Sequence, residues 1–201
     1  MTVAGVATKA IPPSHPDPLS APLADALEAA SVEHASAILP SSRQVVSVPV
    51  YVRRETLWTG ETPRELGAIP GKRLYGYDGA PFYPELLVVR LLERAGWGAA
   101  WRKTWNGVSY WRDVNETVEL GPLALSIVGQ IARQAGYEGS WDIVAWRDRE
   151  LRLLASRSAG GQRVSAYMAD WLDAAMRMGV PAGCFAVVEH EAPRPRPVRR
   201  R

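Results

Sequence analysis

The sequence predicts an α/β fold, with a mixed central sheet flanked by helices. Three observations carry this. From Pro84 onward the apolar pattern alternates between helical spacing and short valine- and alanine-rich runs, in the order helix, strand, strand, helix, strand, strand, helix, strand. The runs ELRLLAS and CFAVVEH are separated by one helical segment, and a right-handed parallel crossover is the natural connection between them. The chain has 201 residues, 47% hydrophobic and 22% charged, the composition of a globular protein and a length suited to one domain with tails. A domain of about 150 residues buries roughly two-thirds of its surface, so no covalent staple is needed.

The elements follow in order. Residues 1–22 hold Pro12, Pro13, Pro16 and Pro18 with little periodicity and read as a disordered tail. LADALEAASVEHASAIL (23–39) has Leu23, Ala26, Leu27, Ala30 and Ile38 at roughly helical spacing, which predicts a helix ended by Pro40. QVVSVPVYVRR favours extended chain, and Pro49 points to an edge strand or an irregular segment. GETPRELGAIPGKRLYGYDGAPFY, rich in Gly and Pro, reads as a long loop. Residues 23–83 are therefore expected to form a helix and irregular extension ahead of an α/β domain over 84–190.

Within that domain, PELLVVRLLERAG (84–96) predicts a helix. Pro84 suits its first turn, Glu85 suits the dipole at that end, Leu87, Val88, Leu91 and Leu92 form a core stripe, and Gly96 closes it. GAAWRKTW and VSYWRD flank Asn106-Gly107, a hairpin signal. GPLALSIVGQIARQAGY (121–137) is a second helix. WDIVAW and ELRLLAS are strands joined at Arg147-Asp148-Arg149. RVSAYMADWLDAAMRMG (163–179) is a third helix, stopped by Gly179 and Pro181, and CFAVVEH (184–190) is the last strand.

Composition excludes several function classes. The single cysteine, Cys184, rules out a disulfide framework within the chain and suggests a reducing, cytoplasmic location. No stretch of 18 uncharged apolar residues exists, so no membrane span or membrane partner is expected, and the N-terminus lacks the apolar core of a secretory signal. His15, His34 and His190 are scattered, which supports no Cys/His metal site. No Walker loop, dinucleotide fingerprint or serine-centred elbow is present. The net charge of +3 is located in the tail EAPRPRPVRRR (191–201): setting aside its five arginines and Glu191 from totals of 24 basic and 21 acidic residues leaves 19 against 20. Arg199, Arg200 and Arg201 could hold DNA or RNA by counterion release, or simply be solvated.

On residues 84–190 the sequence resembles the PD-(D/E)XK nuclease superfamily, the restriction-endonuclease-like fold, and more closely its VRR-NUC-type branch. The features that carry the resemblance are a helix glutamate, Glu85; an aspartate opening a strand, Asp142 in Trp141-Asp142-Ile143-Val144-Ala145-Trp146; a second strand; and a helix reading Val164-Ser165-Ala166-Tyr167-Met168-Ala169-Asp170-Trp171-Leu172. The resemblance implies a restriction-endonuclease-like core and a Mg²⁺ site of carboxylates, with Asp142 and Glu85 as its candidate ligands here. It departs at the chemistry. Counted from Asp142, the Glu-X-Lys triplet falls on Ala155-Ser156-Arg157, and Met168 stands where a glutamine is usual. Alanine offers a metal no oxygen. Arginine can grip a phosphate bidentately but does not lose its proton to act as a base. Glu150 lies five residues before Ala155, about 16 Å along a strand at roughly 3.3 Å per residue, too far to share a metal.

Three readings follow from the sequence. The first is a catalytically degenerate nuclease-fold domain that binds nucleic acid or a partner, with Arg157, Arg163, Arg102 and Lys103 as phosphate contacts and Trp97, Trp101, Trp105 and Trp111 as stacking or core residues. The second is an active Mg²⁺-dependent nuclease with a rearranged acid set, Asp142 and Glu85, which requires the two carboxylates to meet. The third is a protein-partner or homo-oligomeric assembly module that uses residues 23–83.

Overall fold

The computed structural model describes residues 20–66, 69, 72–103, 108–139, 141–160 and 163–192. The predicted N-terminal Pro-rich tail as far as residue 19, Trp105 with the Asn106-Gly107 turn, and the arginines of the C-terminal tail lie outside the described residues. In chain order the helices are α1 (Ser20–Ala26), α2 (Pro84–Arg94), α3 (Pro122–Ala135) and α4 (Ala166–Arg177). The strands are β1 (Ser31–Ile38), β2 (Val45–Arg54), β3 (Thr56–Leu57), β4 (Tyr75–Tyr77), β5 (Ala80–Phe82), β6 (Gly98–Lys103), β7 (Ser109–Asp113), β8 (Glu116–Thr117), β9 (Ile143–Arg147), β10 (Glu150–Ser158) and β11 (Phe185–Glu191).

The main sheet has eight strands in the order β1-β2-β11-β10-β9-β6-β7-β8. β2, β11 and β10 run parallel to their neighbours within that trio, and the remaining pairings are antiparallel, so the sheet is mixed. The crossover from β10 through α4 to β11 is parallel, as expected. The α/β unit reaches back beyond residue 84, because β1 and β2 belong to the same sheet.

Strand side chains alternate between the faces. On β2, Val46, Val48, Val50 and Val52 face one core; on β10, Leu151, Leu153 and Ala155 do the same. That core is closed by Val128 and Ile131 of α3 and by Trp171, Leu172 and Ala175 of α4. The alternate residues Tyr51, Leu154, Ala186 and Val188 face a second core, closed by Leu23 of α1 and by Leu86, Val88, Val89 and Leu92 of α2. Fully burying a Val or Leu side chain contributes about 1.5–3 kcal/mol. Helices on both faces satisfy both sides of strands that are apolar throughout.

Three expectations are corrected. The single helix over 23–39 is a short helix, a turn and a strand: α1 ends at Ala26, Glu28 takes φ 50°, and Ser31–Ile38 is β1, paired along its length with β2. The inward positions of β1 are Ala35 and Ala37, good helix formers whose local preference yields to pairing. β2 is not an edge strand, because β11 pairs on its other side. Pro49 is tolerated because it stands one residue before the first β2–β11 pair, Val50↔Val187, so no β11 residue is registered against its missing N–H. The long loop contains a 3-10 turn at Arg64–Leu66 and a small sheet, β3-β4-β5, whose Tyr75 packs on Leu87 and Leu91 of α2.

Candidate functional site

Three parallel strands, β2, β10 and β11, end on the same side of the sheet, and an open pocket of about 980 Å³ lies beyond their carboxyl ends. That is where open α/β sheets present ligand sites, because the strand ends leave a crevice that loops can furnish. β2 supplies Arg54 and, just after it, Glu55. β10 supplies Ser156, Arg157 and Ser158. β11 supplies His190. The loop before β4 brings Lys72 and Arg73, and α2 begins at the pocket with Pro84 and Glu85.

Two clusters lie in or behind it, and Asp142 is not among the lining residues. The first contains the two acids predicted as metal-ligand candidates. Glu85, in the first turn of α2, is buried and paired through Oε1 with the Lys72 ammonium; its Oε2 is buried without a hydrogen-bond partner. Asp142 lies just ahead of β9, and its Oδ2 accepts from the Ser156 backbone N–H at 3.3 Å. Burial pushes the Asp142 carboxyl up to about 6, and the Glu85 charge pushes the same way; the Ser156 N–H and Lys72 oppose them. The Glu85 charge therefore reaches Asp142. Among the described residues, no group of three or more His, Cys, Asp or Glu is placed to hold a metal ion.

The second cluster is not legible in the sequence as a unit. Ser156 Oγ and His190 Nε2 are 3.0 Å apart, and His190 Nδ1 stands 2.9 Å from Glu55 Oε1. The Arg53 Nε–H donates to the same Glu55 oxygen at 2.7 Å. Burial alone would raise the Glu55 carboxyl, but the bonds from His190 and Arg53 and their charges outweigh it and hold it below its ordinary value. The imidazole is fully buried at its side chain and stacks on Tyr75 with ring centroids 5.2 Å apart. Two of these residues, Ser156 and His190, follow from the predicted crossover, since they sit near the ends of the two strands it joins. Lys72 and Glu55 lie in the Gly/Pro-rich stretch and at its border, where no periodicity marks them.

The remaining site residues separate. Arg157 lines the pocket, with Nε 2.9 Å from Glu189 Oε2 and NH1 donating to the Arg163 carbonyl at 3.1 Å. Arg163 is exposed beside it. Arg102 does not reach the pocket: it is buried, paired with Glu138, and its guanidinium lies 4.8 Å from the Trp171 ring centroid. Lys103 stacks on Trp111 at 3.8 Å on the far strands. Trp97 and Trp101 are buried in the core, and Trp111 packs edge-on against Trp101. Glu150 pairs with Arg147 and Arg152 at the opposite end of β10. Ala155, which the resemblance sets in a ligand position, faces the α3/α4 core, whereas Ser156, Arg157 and Ser158 line the pocket.

No protein-family model matches the chain, and the searches of curated proteins and of solved structures give no match either.

Proposed function

We propose that the pocket binds the phosphate backbone of a nucleic acid, on a restriction-endonuclease-like core that has lost its metal-dependent hydrolysis. The observation that carries this reading is the charge balance around the pocket. Arg54, Lys72, Arg73 and Arg157 line it; Lys72 is paired with Glu85, Arg157 with Glu189, and Glu55 with Arg53 and His190, which leaves Arg54 and Arg73 against the one further acid of the lining, Glu191. Arg54 and Arg73 are exposed and reach solvent. Phosphate contacts of this kind bind without reading sequence and weaken steeply with salt. Loss of hydrolysis is supported by the residues at the positions where the resemblance implies an acid and a lysine: Ala155, buried in the core, offers no oxygen, and Arg157 is bonded to Glu189.

One observation favours the second reading, an active Mg²⁺-dependent nuclease. The unpartnered, buried Glu85 Oε2, whose charge acts on Asp142, suits a hard cation, because Mg²⁺ is held by one or two carboxylates completed by phosphate and water. Asp142 and Glu85 would hold the ion, which would polarise a phosphodiester and activate a water. Lys72 would keep its charge against Glu85 and face the phosphate.

The test is binding of fluorescein-labelled single- and double-stranded oligonucleotides, read by anisotropy in EDTA, with Arg54→Glu/Arg73→Glu as the variant. The expected result is roughly a tenfold or greater loss of affinity in the variant, as two phosphate contacts become repulsive. Unchanged affinity sinks the pocket reading. Adding Mg²⁺ or Mn²⁺ is expected to produce no cleavage. Cleavage that disappears in Asp142→Ala decides for the second reading.

A further inference from the structure

We infer that Ser156, His190 and Glu55 form a nucleophilic relay, and that the pocket hydrolyses an ester bearing a negative charge. The inference goes beyond the nucleic-acid reading and does not depend on it. Three side chains from three separate strand ends stand in line: Ser156 Oγ to His190 Nε2 at 3.0 Å, and His190 Nδ1 to Glu55 Oε1 at 2.9 Å. Both distances fall within the reach that nucleophile–base and base–orienter pairs require.

The partners fix one of the ring's proton positions. The Glu55 carboxylate can only accept, so Nδ1 carries a proton toward it, and in the tautomer that leaves Nε2 bare that nitrogen accepts from the Ser156 hydroxyl. That tautomer is the one able to take the Ser156 proton. The ring is held in place by its stacking on Tyr75, and Glu55 is held by Arg53, whose Nε–H donates to the same oxygen. The backbone of Ser156 is anchored by its N–H donating to Asp142. All three residues line the pocket; Glu55 and His190 are buried at its wall and Ser156 is half-buried, so the serine is the member most open to a substrate.

The chemistry balances with water as the second reactant. Ser156 Oγ attacks the ester carbonyl carbon, and its proton passes to His190 Nε2. The bond from carbon to the alcohol oxygen breaks, and the leaving alcohol takes that proton, giving an acyl-Ser156. A water then gives its proton to Nε2 and attacks the acyl carbon; the acid leaves and the proton returns to Ser156 Oγ. Arg54 and Arg73 line the same pocket and are exposed, and their positive charge favours an anionic substrate.

The test begins with the wild-type chain and an alkyl fluorophosphonate, read by intact mass and peptide mapping. The expected result is one adduct per chain, on Ser156, absent in Ser156→Ala and absent when the protein is first unfolded in urea. No adduct on Ser156 of the folded wild type overturns the relay, and that measurement requires no variant to fold. In Glu55→Gln, checked for folding by circular dichroism, the maximal rate of inactivation is expected to fall roughly tenfold or more, with the probe concentration for half-maximal rate unchanged. An unchanged maximal rate overturns the positioning role of Glu55. The wild type is then given 4-nitrophenyl acetate and 4-nitrophenyl hemisuccinate. A kcat/KM several-fold higher for the hemisuccinate is expected; turnover of neither ester, or equal turnover of both, overturns the substrate class. Oligonucleotide affinity is a separate readout, so its failure leaves these results standing and theirs leaves it standing.

Discussion

At the scale of single residues, Asp142 controls how stability responds to pH. Its folded carboxyl is pushed up to about 6, first by burial and then by the Glu85 charge. The unfolded chain releases the same proton near pH 4. Between those values the folded state holds a proton the unfolded state lacks, so Asp142 contributes its full stability below about pH 4, and that contribution is lost as pH rises through 6. The difference amounts to roughly 2–3 kcal/mol. Asp142→Asn keeps an oxygen to accept from the Ser156 N–H and removes the charge that burial and Glu85 oppose. Urea unfolding is therefore expected to show the variant more stable than wild type at pH 8, with most of the gap closed at pH 4.5. A gap that does not change with pH contradicts this role of Asp142. Asp142 and Glu85 are legible in the sequence because each occupies a recognisable position, a strand entrance and a helix first turn. Glu55 and His190 are separated by 135 positions and meet only because the sheet places β2 beside β11. No local pattern encodes that adjacency.

At the scale of elements, the readable segments are those whose local preference and tertiary role agree. α3 is one: Pro122 opens it, and Gly136 closes it with φ 82°, a conformation that glycine adopts at no steric cost. β1 is the reverse case, since its inward residues are alanines and its pattern reads as helix until β2 is in place. α4 shows a third situation. Ser165 acts locally, its Oγ accepting from the Met168 N–H at 3.3 Å to cap the helix. Ser165→Ala is expected to cost about 1 kcal/mol in thermal or urea unfolding, and Ser165→Asp to cost much less, because aspartate caps equally well. Equal losses in the two variants would show that the serine matters through packing and not through its cap. The helix it caps is the crossover that sets β11 parallel to β10, so its stability bears directly on the alignment of Ser156 and His190.

At the scale of the whole molecule, charge is divided between the pocket and the C-terminal arginines. The chain without its last eleven residues is close to neutral, so any anion binding by the body must come from local arrangement and not from net charge. The two sources separate by their response to salt. For single-stranded nucleic acid, the logarithm of affinity falls with the logarithm of salt by roughly 0.7 for each phosphate neutralised. Arg54 and Arg73 are exposed at the pocket, and Arg157 lines it while bonded to Glu189. A chain ending at Ala192 is therefore expected to keep a slope of about 1.4–2, the signature of two or three phosphate contacts. The full chain should show a steeper slope, because five more arginines become available. The measurement is oligonucleotide anisotropy at several salt concentrations for both chains. A truncated chain with no slope and no affinity would assign all anion binding to the tail. The pocket would then be left to its relay of Ser156, His190 and Glu55, a site for a small ester and not for a polymer.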